Sequence, residues 1–328
     1  MSNLKYPISE LNSKLAKRMF ISNLEECERF PKYFEVETVN ACNARCTMCT
    51  INDWDKKSDV IMKMEMFESF AKELSKHSDW VEHVCLNRNG EPTLDKKLYQ
   101  RIKLLKDAKI KKVTFATNAQ LLDQSFIEKI LDAGLDEIMV SIDGITKEVF
   151  EKIRIRLAFE TVLKNTLNLI EIRNTRVSPL KIRIRMVVVN ENKHEVKPFI
   201  DFWKSRIDHT LDDIYAMEAH TWGNQLASER AEKIKYYADK PCISPFSTMI
   251  IHADGSVPLC GVDYNTKYLL GKFPQNSIQE IWQGEKYTEI RTLHANKKRN
   301  TIDFCQGCSI WDRPIYGEKK DTDREIVL

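Results

Sequence analysis

From Tyr33 onward the chain alternates short apolar runs with longer amphipathic ones, the pattern of strand, helix, strand. It predicts strands at Tyr33–Val39, Trp80–Leu86, Lys112–Ala116, Glu137–Ile142, Lys181–Val189 and Ile214–Glu218. Between them lie predicted helices such as Met62–Ser75, Lys96–Lys106, Gln124–Asp132 and Phe159–Ile172. Strands joined through helices pair in parallel by right-handed crossovers, so the expected fold class is α/β, a parallel sheet covered on its outer face.

Alternation within the strands assigns faces, because successive side chains point opposite ways. In the fifth strand Ile182, Ile184 and Met186 share one face and Lys181, Arg183 and Arg185 the other. The apolar set must pack on helices, which turns the arginines inward. The same parity turns His83, Cys85 and Asn87 inward on the second strand, and Thr114 and Asn118 on the third. It selects Met139, Ser141 and Asp143 on the fourth, and Glu218 and His220 on the sixth. Each could be a hydrogen-bonded strand end. Together they describe a polar cavity suited to a ligand, with Glu218, His220 and Trp222 as candidate substrate contacts.

The flanks follow a different pattern. Residues 1–31 read as a polar helical lead-in with Leu11, Leu15, Met19 and Leu24 as its apolar stripe, too short for a peptide-recognition domain of its own. Cys27 stands beside Glu25, Glu26 and Glu28, whose charge would raise its pKa and keep it unreactive. Beyond Gly223 the alternation stops. A linker over 224–240 leads to a small domain over 241–328. There a hairpin of Met249–His252 and Val257–Leu259 is expected, turned by Ala253-Asp254-Gly255-Ser256, then a helix from Ile278 to about Leu293.

Composition changes this picture little. In 328 residues, 51 lysines and arginines face 48 acidic residues with the signs interspersed, leaving no electrostatic footprint for nucleic acid or an anionic membrane. No apolar run approaches the ~20 residues of a membrane helix. The first residues lack the apolar core of a secretory signal, so a cytoplasmic protein is expected. Nine cysteines in such a chain favour metal or catalysis over disulfides.

Three of them, Cys42, Cys46 and Cys49, follow the first strand with spacing Cys-x3-Cys-x2-Cys. Thiolates this close bind soft metal, and iron–sulfur clusters are normally held by four. Three ligands point to a 4Fe–4S cluster with one open iron. A zinc knuckle is the competing reading, though structural zinc prefers a closed set of four ligands. The remaining set, Cys242, Cys260, Cys305 and Cys308, is complete for zinc or for a cluster, and spacing alone slightly favours zinc.

The cysteine loop resembles that of the radical S-adenosylmethionine (SAM) enzymes, with Met48 where an aromatic residue often precedes the third cysteine. Further motifs extend the likeness. Asn89-Gly90-Glu91-Pro92 resembles the family's Gly-Gly-Glu-Pro, with Asn89 for the first glycine; Thr117-Asn118-Ala119 resembles Thr-Asn-Gly; Ser141-Ile142-Asp143-Gly144 resembles Ser-Ile-Asp-Gly. The resemblance implies an open (β/α)6 partial TIM-type barrel and a SAM molecule chelated by the open iron. Glu91, Asn118, Ser141 and Arg185 would contact SAM. Cys242, Gly255, Cys260, Gly271, Ile281-Trp282 and the closing Cys305-x2-Cys308 resemble the twitch or SPASM extension, which implies an auxiliary 4Fe–4S cluster with four protein ligands.

A fully ligated second cluster suits electron transfer. The C-terminal third resembles aminocyclitol dehydrogenases of antibiotic biosynthesis, which implies oxidation of a carbinol carbon in a sugar or aminocyclitol, with a flavodoxin or ferredoxin as electron donor. Two alternatives stay open: epimerisation with Cys85 as hydrogen donor, and peptide maturation.

Overall fold

The computed structural model describes residues 5–55, 60–219, 221–223, 225–226, 240–306, 308 and 325–327. The six expected strands are β1 (Tyr33–Val36), β2 (His83–Cys85), β3 (Lys112–Thr117), β4 (Glu137–Ser141), β5 (Lys181–Val188) and β6 (Asp213–Glu218), all parallel and side by side in chain order. Their registers, such as Phe34 opposite Val84 and Ile184 opposite Ile214, keep each apolar face aligned with its neighbour's. Ile182, Ile184 and Met186 are fully buried, as parity requires.

Helices α1 (Glu10–Arg18), α2 (Met64–Ser75), α3 (Leu98–Asp107), α4 (Gln124–Asp132), α5 (Lys147–Ile153), α6 (Phe159–Thr175) and α7 (Val196–Lys204) precede and separate these strands. α2 to α7 send residues such as Phe67, Leu105, Ile130, Leu169 and Trp203 into one continuous core with the sheet. α4 begins where Asp123 accepts the Phe126 N–H, an N-cap that satisfies an otherwise orphaned donor. Buried pairs fasten the barrel: Arg173 grips Asp212 with two guanidinium nitrogens at 2.8 and 2.5 Å. Among the described residues no helix is long and apolar enough to cross a membrane.

Three expectations change. The strand near Met249 exists as β7 (Thr248–Ile251), but its partner is β1, in parallel, so it extends the barrel sheet instead of closing a local hairpin. β8 (Ser256–Val257) pairs with β9 (Gly271–Lys272) after the Asp254-Gly255 turn. The cause is burial: all four β7 residues are buried, which an exposed two-stranded hairpin could not provide. The helix expected over Ile278–Leu293 is two, with α8 (Ser244–Ser247) preceding them: α9 (Ile278–Gln283) and α10 (Glu285–Ala295) meet at Gly284, whose extended backbone (ψ 163°) ends one and caps the other. Finally, a strand β10 (Glu325–Val327), unforeseen, adds antiparallel to β6.

The lead-in folds onto the small domain. Leu15, Met19, Leu24 and Cys27 pack with Ile243, Phe246 and Ala295, whereas Leu11 is only half-buried. Trp282 donates its indole N–H to the Cys27 carbonyl at 2.6 Å. Burial, more than the neighbouring glutamates, pushes the Cys27 thiol up to about 12. The expected inertness holds for a different main reason.

Candidate active site between two sets of cysteines

The loop after β1 carries Cys42, Cys46 and Cys49 to the C-terminal ends of the strands, where they line one side of a cavity of about 310 Å³. The other walls come from Cys85 at the end of β2, Asn87 and Glu91 in the loop after it, Asn118 after β3, Ser141 of β4, Arg185 of β5, Glu218 at the end of β6 and Trp222 beyond it. Strand parity thus brings Cys85, Asn87, Asn118, Met139, Ser141, Arg185 and Glu218 to one space. Other parity candidates do not line it: Asp143 is fully buried and pairs with Arg154 at 2.5 Å, His83 and Thr114 are buried against each other at 2.7 Å, and Lys181 and Arg183 pair with Asp213 near the strand starts. His220 lies outside the described residues.

Backbone donors prepare the thiols. The Ala44 N–H points at Cys42 Sγ at 3.4 Å, and the Arg154 guanidinium reaches Cys46 Sγ at 3.6 Å. Arg154 is brought there by a two-residue antiparallel ladder between Arg45–Cys46 and Arg154–Ile155. Burial pushes the Cys42 thiol up to about 12, so its thiolate requires a metal or cation beside it. The three partly buried thiols line one cavity, and N–H donors aimed at Cys42 and Cys46 sulfur fit the ligand set of a cluster.

The Gly-Glu-Pro loop is locked against the cysteine loop. Gly90 has φ 82°, and a Cβ there would lie 2.1 Å from the Val39 carbonyl oxygen, so only glycine fits. Asn89 is not among the left-handed residues; the following glycine carries that conformation. Ala119, where the family's glycine would stand, is left-handed at φ 59°. Glu91 accepts from Thr117 Oγ1 and Thr93 Oγ1 (both 2.6 Å), Thr93 N (3.1 Å) and Asn118 N (2.8 Å). Burial raises its pKa and these donors oppose the rise. Asn118 in turn donates to Asn43 Oδ1 at 2.7 Å, tying β3 to the cysteine loop.

Ser141 Oγ accepts from Arg185 at 2.8 Å, and the Trp222 indole donates to the Met48 carbonyl at 3.0 Å. Cys85 donates to Asn87 Oδ1 at 3.2 Å, its sulfur at the cavity wall. Glu91→Gln would oppose an NH2 group to the Asn118 N–H, at about 1–3 kcal/mol for the buried mismatch. We expect SAM affinity, measured by anaerobic equilibrium dialysis, to fall about tenfold or more in that variant. Unchanged affinity would place this loop away from the cofactor.

The second set is gathered as completely. Cys242, Cys260, Cys305 and Cys308 all line a cavity of about 210 Å³, closed by Leu259, Phe304, His294 and Arg299. Ser244 N–H points at Cys242 Sγ at 3.5 Å, and burial pushes Cys260 up to about 12. Sequence reasoning overlooked four contributors. Glu35 and Arg88 form a 3.1 Å ion pair at the first cavity's wall, and Arg154 and His294 approach thiols. Inward parity on β1 could have flagged Glu35, but the other three depend on contacts distant in sequence.

Comparison with known proteins agrees with this layout. The radical SAM superfamily model matches residues 36–202, and an iron–sulfur cluster-binding domain model, SPASM, matches 242–309. A probable GTP 3',8-cyclase of Methanocaldococcus jannaschii is 30% identical over 155 residues, 47% of this chain and 50% of that protein. Another from Sulfurisphaera tokodaii is 27% identical over 226 residues, 63% of this chain and 68% of that one. The match to the first thus spans about half of that relative's length. BtrN in complex with AdoMet and 2-DOIA superposes with TM-score 0.56 at 19% identity, covering 85% of this chain and 92% of BtrN. Streptococcus suis SuiB bound to the precursor peptide SuiA gives TM-score 0.63 at 14% identity, covering 85% and 69%. At such identities these structures establish a common fold. The chain belongs to the radical SAM superfamily, with SAM and a 4Fe–4S cluster as cofactors of its barrel and auxiliary iron–sulfur in its SPASM domain.

Proposed function

We propose that Cys42, Cys46 and Cys49 hold the SAM-binding cluster, that Glu91, Asn118, Ser141 and Arg185 surround SAM, and that Cys242, Cys260, Cys305 and Cys308 fully ligate one auxiliary cluster. The reaction we infer is oxidation of a carbinol carbon, in a hydroxylated small molecule of sugar or aminocyclitol class, to a ketone. When bound, the cofactors supply a 5′-deoxyadenosyl radical as hydrogen-atom acceptor and an auxiliary centre as one-electron acceptor. The balance is simple: the carbon loses a hydrogen atom, the hydroxyl loses a proton, and one electron leaves. Glu35 and Glu218 are carboxylates on the cavity wall suited to receive the proton.

One observation carries this reading: Arg88 and Met217 line both cavities, so the substrate space and the four auxiliary thiols share a wall. Arg88 bonds Glu35 on one side and the Gly261 carbonyl, next to Cys260, on the other. An electron leaving the substrate has a short path. A flavodoxin or ferredoxin would supply the reducing electron for SAM cleavage.

Cys85 favours a second reading, epimerisation, because its thiol reaches the cavity wall. Incubation in deuterated buffer with a panel of sugars, nucleotide sugars, aminocyclitols and GTP separates the readings. Oxidation yields a ketone with one 5′-deoxyadenosine per product and no solvent deuterium at the reacting carbon. Deuterium at an inverted centre, lost in Cys85→Ala, would establish the epimerase instead. Cyclisation of GTP would align the chain with its curated relatives and overturn both.

A further inference from the structure

His294, on α10, is 1% exposed and lines the cavity of the four auxiliary thiols. Its Nδ1 is 3.0 Å from the backbone nitrogen of Cys242, and its Nε2 is 3.6 Å from Cys305 Sγ. A backbone N–H can only donate, so Nδ1 must offer its lone pair. The ring proton of the neutral imidazole therefore sits on Nε2 and points at sulfur. The tautomer is fixed by a group that cannot change roles.

We propose that His294 is a positioning residue that donates an Nε2–H···Sγ hydrogen bond to Cys305 and thereby raises the reduction potential of the auxiliary cluster. The reasoning is electrostatic. Reduction adds negative charge to a centre already carrying four thiolates, and N–H donors to ligand sulfur disperse that charge, favouring the reduced state. Arg299 lines the same cavity, and its positive charge acts in the same direction. The result is a centre poised to accept an electron. This deepens the substrate-oxidation reading above and rests on it only for its purpose, since the potential is measurable without any substrate.

Two substitutions separate the ring's two nitrogens. His294→Asn retains an acceptor for the Cys242 N–H but removes the donor to Cys305. His294→Gln places an N–H group near the Nε2 position. In the full chain carrying Cys42→Ala, Cys46→Ala and Cys49→Ala, only the auxiliary cluster remains for an EPR-monitored redox titration. We expect His294→Asn to disfavour reduction about tenfold, a fall of about 59 mV for one electron, with His294→Gln close to the parent. Equal potentials in the parent and His294→Asn at full iron content would overturn the proposal, as would an equal fall in His294→Gln. If His294→Asn fails to load iron, pulsed EPR of unsubstituted protein with ¹⁵N-histidine decides. A weak histidine nitrogen coupling through an exchangeable proton is expected, whereas no coupling, or the strong coupling of a direct ligand, would refute it. An unmoved potential would leave substrate oxidation standing, and a redox-neutral product would leave the hydrogen bond standing, so the two failures are distinct.

Discussion

Alanine at Cys42, Cys46 and Cys49 should leave anaerobically reconstituted protein with roughly half its iron and no detectable reductive cleavage of SAM, because the four thiols of the other set are complete without them. Iron analysis and 5′-deoxyadenosine formation with dithionite measure both outcomes. The complementary change, Cys305→Ala with Cys308→Ala, should preserve 5′-deoxyadenosine formation while stopping ketone formation. Stoichiometric zinc in place of iron in the anaerobically isolated protein would refute the assignment of both sites.

Arg154→Met is expected to lower stability by about 3–5 kcal/mol, the usual penalty for leaving one member of a buried ion pair uncompensated. Asp143 is fully buried, its second oxygen accepts the Val187 N–H at 2.7 Å, and among the described residues Arg154 is the cation paired with it. In anaerobic thermal scans this should appear as a fall of about 10 °C in Tm. Adding Asp143→Asn should recover much of the stability, while Cys46 would still lack its guanidinium. A single variant as stable as the parent would show that solvent reaches the carboxylate.

The parts of this molecule that sequence revealed are those governed by local periodicity. Strand parity works here because the two faces of β5 differ, one buried on helices and the other only partly buried, so Ile184 and Arg185 cannot exchange places without burying the charge and opening the apolar side chain. The spacing of Cys42, Cys46 and Cys49 is readable for a similar reason, being a short-range pattern, whereas Cys242, Cys260, Cys305 and Cys308 are spread along the chain and their reading as a cluster rests on the resemblance. What escaped was set by contacts between distant segments. β7 reads as half of a hairpin until β1, more than two hundred residues earlier, proves to be its partner. Gly284 divides a periodic stretch by backbone geometry, which a hydrophobic pattern does not register. Arg154 and His294 look like ordinary surface-helix and core residues, and only the fold brings them to sulfur.

The pairing of β1 with β7 has a consequence for biosynthesis. During translation Tyr33–Val36 emerges long before Thr248–Ile251, a wait of about 10–40 s at ordinary elongation rates. Throughout that interval one flank of the nascent barrel presents unpaired backbone amides and carbonyls to other chains, the template on which strands aggregate. Expression cut short after the sixth strand would keep that flank open permanently, so a holdase acting at the ribosome should improve the yield of the barrel far more when the later domain is missing.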